Sequence, residues 1–386
     1  MIIGQFCDTY PPNLDGVGRV ALAYCEGLKK LGNAVYYVGP NSPKVGEAEE
    51  LNTVLSASLK IPTELHRVGV PWISPKYRKK LAGIPFDIVH AHSPFSAGME
   101  AARIAKKLNV PLVATFHSKF YDDVMKITHS KMISRTVTNS IVEFFNKCDA
   151  VWAVNGGTAE VLRDYGFGGK ILVMENGTNA TRVPREVMER MQMRVGFVAG
   201  VPMLLFVGQH NTKKNLDGVI QACAILKERG VKFRLVTAGD GPDFEKLVKL
   251  AKKLGLENEV QFLGFVGDFE ELTALYRMAD LLVFPSMYDN APMALREAAA
   301  AGTAGLLVAG STAAEDYRDG ENVFVAKDVT PEAIAKRIVE ALPYTSKVGV
   351  EAKKTIPISW EKIMEKVMRE YEALIIEKQG RIRSIS

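Results

Sequence analysis

The sequence predicts an α/β chain of two doubly wound domains, each a parallel sheet covered by helices on both faces. Three observations carry this reading. At 386 residues the chain is too long for one ordinary domain and suits two. Short apolar runs alternate with segments of helical periodicity through the first half of the chain, and the same alternation starts again in the second half. Buried strands that alternate with amphipathic helices pair in parallel, because a helical crossover returns each strand to the same edge of the sheet.

Taken in order, the first half reads as strand "MIIGQF", helix "GRVALAYCEGLKKLG", strands "AVYYVG" and "DIVHAH", helix "AGMEAARIAKKLN", then strands "PLVATFH" and "DAVWAVN". The second half reads "PMLLFVG", "NLDGVIQACAILKERG", "FRLVTAG", "DFEKLVKLAKKLG", "VQFLGFVG", "FEELTALYRMA", "DLLVFPS", "MALREAAAAG" and "AGLLVAG". Between them, residues 175–202 are rich in turn formers and lack a clear strand, which suits a linker. The first domain is therefore set at residues 1–185 and the second at 186–358. The last segment, "SWEKIMEKVMREYEALIIEK" from Ser359, must bury an apolar stripe on something.

Composition is that of a globular protein, 47% apolar and 24% charged, with no low-complexity tract. No run of about 18 apolar residues occurs and the start "MIIGQFCDTYPP" lacks the pattern of a signal peptide. The expectation is a cytoplasmic chain that neither spans a membrane nor is exported. Cys7, Cys25, Cys148 and Cys223 show no paired spacing, which suits reduced buried thiols better than disulfides or zinc. The net charge is +5 overall, and residues 1–185 hold 22 Lys and Arg against 16 Asp and Glu, so the basic excess lies in the first half. No nucleic-acid partner is expected.

In open parallel sheets ligands bind at the carboxyl ends of strands, so the loops after each apolar run are the ones that carry chemistry. After the first strand, "CDTYPPNLDGVGR" brings Gly16 and Gly18 ahead of a helix, either as a plain turn or as a cradle for an anion. It is not GxGxxG, which disfavours a dehydrogenase-type dinucleotide site. "VHAHSPF" and "ATFHSKF" end strands with His90, His92 and His117, and four of the six histidines fall between residues 90 and 129. "FVGQHNTKKN" delivers Gln209, His210, Lys213 and Lys214, where lysines suit diphosphate oxygens or form a solvated pair. "TAGDGP" adds Gly239 in another tight turn.

"PSMYDNAPMALREAAAAG" places Asp289 and Glu297 eight residues apart across a loop-to-helix junction. The amides of Asn290, Ala291, Pro292 and Met293 are expected to point at a ligand, and Glu297 to accept two hydrogen bonds from a vicinal diol such as a ribose offers. The simpler reading of Glu297 is a carboxylate that favours the helix dipole. Gly302 is expected to end the helix in the left-handed conformation.

Together, in this order and spacing, these pieces and "GSTAAEDYRDGENVFV" resemble the signature of the family 4 retaining glycosyltransferases, over nearly the whole chain. The resemblance implies the GT-B fold: two Rossmann-like domains facing a cleft, the first for the acceptor, the second for a nucleotide sugar, with the segment 359–386 crossing back to the first domain. By this resemblance Glu297 binds ribose, Asp289 lies near the donor sugar, His117 contacts the sugar near the reacting centre and Lys214 binds the diphosphate. An arginine common in the family is Gln209 here, so His210, Lys213 or Arg19 replaces it or donor binding weakens.

The reaction implied is transfer of a hexosyl group from a nucleotide diphosphate sugar, UDP-sugar favoured, with retention of configuration. No cofactor or metal is expected, and no DxD motif occurs. Catalytic roles fall to His117, Lys214 and Asp289. The acceptor is a lipid or a glycan, and the look of "HAHSPF" and "FHSKFYDD" is similar to diacylglycerol glucosyltransferases of the family. In "SPKYRKKLAGIPF", Lys76, Arg78, Lys79 and Lys80 lie among Trp72, Ile73, Tyr77 and Leu81, either as a solvated surface or as a seat on anionic lipid at the inner face of the membrane. The alternatives are a non-catalytic or weakened nucleotide-sugar-binding GT-B protein and a GT-B epimerase.

Overall fold

The structure is a computed structural model that describes residues 1–9, 16–41, 52–60, 67–117, 121, 125, 129–179 and 182–385. It divides into two compact units, Met1–Asn176 with Trp360–Ser386, and Gly177–Ser359. Residues 10–15 of the loop "CDTYPPNLDGVGR" and most of "FHSKFYDD" lie outside the described residues.

In the first unit the order is β1 (Ile2–Phe6), α1 (Gly16–Lys30), β2 (Ala34–Pro40), β3 (Asn52–Ser56), the hairpin β4 (Ser58–Lys60) and β5 (Arg67–Gly69), a 3-10 turn at Pro71–Ile73, then α2 (Pro75–Ala82). It continues with β6 (Ile88–Ala91), α3 (Ser96–Leu108), β7 (Leu112–Phe116), α4 (Lys131–Phe145), β8 (Ala150–Ala153), α5 (Gly156–Asp164) and β9 (Ile171–Val173). Seven strands pair in parallel in the order β3-β2-β1-β6-β7-β8-β9. The right-handed rule for parallel crossovers then sends the connections to opposite faces on either side of the β1–β6 junction.

The second unit opens with α6 (Arg185–Val195), β10 (Met203–Val207), a 3-10 turn at Thr212–Lys214, α7 (Leu216–Glu228), β11 (Arg234–Ala238), α8 (Phe244–Lys253), β12 (Val260–Phe262) and α9 (Phe269–Met278). Then come β13 (Leu281–Val283), α10 (Met293–Ala301), β14 (Ala304–Val308), β15 (Phe324–Ala326), α11 (Pro331–Ala341) and α12 (Thr345–Thr355). Its six parallel strands run β12-β11-β10-β13-β14-β15, with the reversal between β10 and β13. Strands β10, β13 and β14 are buried along their whole length, as their unbroken apolar sequences require of a sheet covered on both faces.

The chain then rejoins the first unit as α13 (Trp360–Ile385), whose stripe Ile363, Met364, Val367 and Tyr371 is at most 4% exposed. The 3- and 4-residue spacing of that stripe is the amphipathic period read in the sequence. The division between units falls after Asn176 rather than after residue 185. The stretch read as a linker holds α6, and Val183, Val187, Met191 and Val195 belong to the second core, so packing pulls it into the second unit.

Helix α13 packs on α1 closely enough that a Cβ on Gly27 would lie 2.4 Å from Met364 Cγ. Gly27→Ala is therefore expected to destabilise the fold by about 1 to 3 kcal/mol through overpacking, although alanine is intrinsically the better helix former by about 1 kcal/mol. In a Met364→Ala background the same substitution is expected to be neutral or stabilising. Urea titration of the two singles and the double checks this, and a stabilised Gly27→Ala single would refute the close contact.

Candidate functional site

In the second unit the chemistry collects where the strand order reverses. The loop after β10 carries Gln209, Lys213 and Lys214, and the loop after β13 carries Ser286 and Asp289. Because β10 and β13 are neighbours whose following loops diverge, a crevice opens between them at the carboxyl edge. The Lys214 Nζ reaches Asp289 Oδ1 at 2.5 Å, with both side chains only 19% exposed. Asp289 Oδ2 accepts a 2.5 Å bond from the hydroxyl of Ser286, itself bonded to the Lys213 carbonyl at 3.2 Å. The carboxylate is thus held from both sides.

Close backbone approach shapes the same edge. A Cβ on Gly239, at φ +148°, would lie 1.9 Å from the Gly208 carbonyl oxygen. Only glycine fits there, so the turn after β11 is fixed against the turn after β10.

The loop holding Asp289 leads into α10, where Glu297 is 5% exposed and accepts a 2.8 Å bond from the hydroxyl of Tyr276 on α9. Gly302 ends α10 in the left-handed conformation, at φ +92°, as the sequence leads one to expect. One expectation fails on chemistry. Pro292 is the N-cap of α10 and has no N–H, so any amides offered to a ligand belong to Asn290, Ala291, Met293 and Ala294.

His210 is also corrected. It is fully buried among Phe206, Phe244 and Phe262, neither ring nitrogen has a hydrogen-bond partner, and burial lowers its pKa to about 4. A neutral core imidazole cannot replace the missing arginine. Gln209 is partly exposed and its side-chain oxygen accepts from Asn211 at 3.1 Å.

The first unit has its own reversal between β1 and β6, and polar side chains gather there. Register pairs Gln5 with His90, which places both on one face of the sheet. His90 lies within β6 rather than at its end and is fully buried, while His92 and His117 follow β6 and β7. Desolvation holds His90 and His92 well below the usual imidazole range and takes His117 to about 3. Gly16 and Gly18 lie inside the first turn of α1 rather than ahead of it.

Sequence reasoning missed Ser286, Tyr276, Gln5 and Tyr371. A glutamine in the apolar run "IIGQF" was the visible signal for one of them. Asp8 was missed too. It accepts a 3.0 Å bond from the Ala97 amide and bonds from the hydroxyls of Ser93 and Ser96, which ties β1 to the start of α3.

The family model for glycosyl transferases group 1 matches residues 188–347, and that for glycosyltransferase family 4 matches residues 14–182. The chain belongs to glycosyltransferase family 4. The alpha-monoglucosyldiacylglycerol synthase of Streptococcus pneumoniae is 28% identical over 78% of this chain and 70% of its own length. The GDP-mannose-dependent alpha-mannosyltransferase of Corynebacterium glutamicum is 25% identical over 78% of this chain and 71% of its own. Among solved structures, Anabaena HepE in complex with UDP and glucose superposes with a TM-score of 0.77 at 17% identity, covering 96% of this chain and 99% of that one. The fold of this glycosyltransferase is therefore GT-B.

The glycosyltransferase's buried histidines make its stability depend on pH. Below about pH 6.5 the unfolded chain takes up protons at these positions and the folded chain does not, so stability falls with pH and the loss from His210 is complete near pH 4. His210→Leu is expected to match or exceed the wild type at pH 7, because it removes an unsatisfied buried group. It is also expected to flatten the decline between pH 6.5 and 4 by at most about 3 kcal/mol. Chemical denaturation across that range checks both, and an unchanged slope would place His210 in water.

Proposed function

We propose that this glycosyltransferase transfers a hexosyl group from a nucleotide diphosphate sugar, UDP-sugar favoured, to a lipid or glycan acceptor, with retention at the anomeric carbon and no bound metal. The observation that carries the reading is the Lys214–Asp289–Ser286 cluster at the reversal of the second sheet, with Glu297 on the helix that follows. Glu297 takes the ribose hydroxyls, Lys213 and Lys214 the diphosphate, and Asp289 the donor sugar. Gln209, Gly239 and the amides of Asn290, Ala291 and Met293 line the donor, with Gly16 and Gly18 offering backbone N–H groups to the diphosphate.

His117 contacts the transferred sugar. The anomeric carbon to diphosphate bond breaks, the acceptor oxygen bonds to the same face of that carbon, and the leaving phosphate takes the acceptor's proton. The ammonium and the helix N-terminal amides lower the barrier by meeting the charge that develops on the diphosphate.

The same reading favours an acceptor at a lipid surface. Trp72 and Ile73 are 64% and 60% exposed beside the exposed Lys76, Arg78 and Lys79, whereas Tyr77 and Leu81 turn into the core. Lys80 Nζ donates to the Thr53 carbonyl at 2.8 Å, which fixes α2 against β3. Two exposed apolar side chains flanked by cations suit an anionic interface at the inner face of a membrane. The relative from Streptococcus pneumoniae is named for a diacylglycerol product. Among the described residues no helix is long and apolar enough to cross a membrane.

Calorimetry with UDP, GDP and ADP tests the donor site. UDP is expected to bind best, and Glu297→Ala to weaken it by about 2 to 4 kcal/mol through loss of a charged acceptor. Turnover of an α-linked UDP-hexose is expected to give an α-linked product without added metal and in the presence of EDTA. Equal affinity in Glu297→Ala, or a β-linked product, refutes the corresponding part.

Vesicle sedimentation tests the acceptor side. Binding to phosphatidylglycerol vesicles is expected to fall with salt and to drop at least severalfold in Trp72→Ser/Ile73→Ser. Equal binding to neutral vesicles, or none to anionic ones, removes the lipid surface.

A further inference from the structure

One face of the first sheet carries a polar patch where a covered parallel sheet is ordinarily apolar. Gln5 on β1, His90 on β6 and Thr115 on β7 share that face, and Tyr371 of α13 closes over them. All four are at most 3% exposed. Their hydrogen bonds form one unbroken chain. Thr115 Oγ1 lies 2.7 Å from His90 Nε2, and His90 Nδ1 lies 2.6 Å from the Tyr371 hydroxyl. Gln5 Nε2 donates to that hydroxyl at 3.1 Å, and Gln5 Oε1 lies 2.7 Å from His92 Nε2. His92 Nδ1 carries the chain on to His117 Nε2, 3.4 Å away.

We infer that Gln5, His92 and Tyr371 are positioning residues that fix which nitrogen of His117 carries its proton. The Gln5 amide decides it, as the one member whose two ends have opposite and fixed roles. Gln5 Nε2 can only donate, so the Tyr371 oxygen accepts from it and its own proton goes to His90 Nδ1. His90 is then protonated at Nε2 and donates to Thr115. Gln5 Oε1 can only accept, so His92 carries its proton on Nε2 and presents a lone pair at Nδ1. His117 must therefore donate from Nε2, which makes Nδ1 its basic nitrogen.

Burial keeps the three imidazoles neutral, so no second ring proton blurs this order. A tautomer set in this way decides whether His117 meets a sugar hydroxyl as acceptor or as donor. The catalytic consequence rests on the proposed contact between His117 and the transferred sugar; the tautomer does not.

Nitrogen-15 NMR of histidine side chains in the full-length protein at neutral pH reads the tautomer directly. The wild type is expected to show His117 protonated at Nε2 alone. Tyr371→Phe removes the acceptor that orients the Gln5 amide, and is expected to give a mixture of His117 tautomers and at least a severalfold fall in kcat on a UDP-hexose with little change in its KM. Gln5→Leu is expected to do the same, while Thr115→Val, at the far end, leaves the His117 signals in place.

An Nδ1–H tautomer of His117 in the wild type overturns the inference, since the reverse setting of the amide reverses every bond. So do unchanged His117 signals in both Tyr371→Phe and Gln5→Leu, which would leave the network a purely structural filler. Undiminished turnover in His117→Ala, with the Nε2–H tautomer intact in the wild type, would instead overturn the sugar contact and the catalytic part alone.

Discussion

Parallel pairing sends every strand's carboxyl end to one edge of its sheet, and each unit uses the single point on that edge where the winding reverses. Elsewhere along the edge a loop crosses over its neighbour and fills the space beside it. Between β1 and β6, and between β10 and β13, the crossovers leave to opposite faces, which leaves room at the edge for polar side chains. Polar side chains placed there can be partly shielded from water yet reachable by a ligand. The Lys214–Asp289 pair bridges one gap and the glutamine and histidine chain starts from the other.

The two units meet this constraint with different chemistry. In the second, the central strands β10, β13 and β14 stay apolar along their length and the charged pair lies at the edge, where charge can be matched by charge. In the first, polarity runs into the sheet itself. Each buried polar atom there costs free energy unless paired, and a partly paired network is worse than an apolar core. Helix α13 resolves the cost by delivering Tyr371, whose hydroxyl both accepts from Gln5 and donates to His90. The last helix is therefore a working part of the first unit's polar layer as well as its cover, and its ring stacks on Trp152 at 5.6 Å.

Much of this was open to sequence reasoning because it depends on local pattern. The alternation of strands and helices, the apolar stripe of α13 and the glycine cap of α10 follow from period and backbone preference, which neighbouring residues decide. The boundary between the units was misplaced because α6 has a polar, turn-flanked sequence, and only its contacts with the second core show where it belongs. His210 was misread for a related reason. A histidine next to Gln209 and two lysines looks like part of a cationic loop, and nothing local reveals that three phenylalanines from β10, α8 and β12 enclose it. Tyr371 and Gln5 are 366 residues apart, so their bond is a property of the fold and not of any segment.

The loss of His210 as a cation changes the electrostatics of the edge proposed for the donor. Lys214 is already neutralised by Asp289 at 2.5 Å, so the pair presents little net charge to an approaching diphosphate. In the proposed donor complex the first attraction comes from Lys213 and from the N-terminus of α10, where Pro292 brings no capping side chain, and Lys214 adds to it by turning from Asp289 to the diphosphate. Asp289 is one methylene shorter than a glutamate, and both of its oxygens are engaged, one by Lys214 and one by Ser286. A carboxylate held on two sides keeps its position when a third group arrives, whereas a free one would swing toward the nearest cation. On this argument Ser286 matters because it stops Asp289 from following Lys214 onto the diphosphate, and the short side chain is what allows both holds at once.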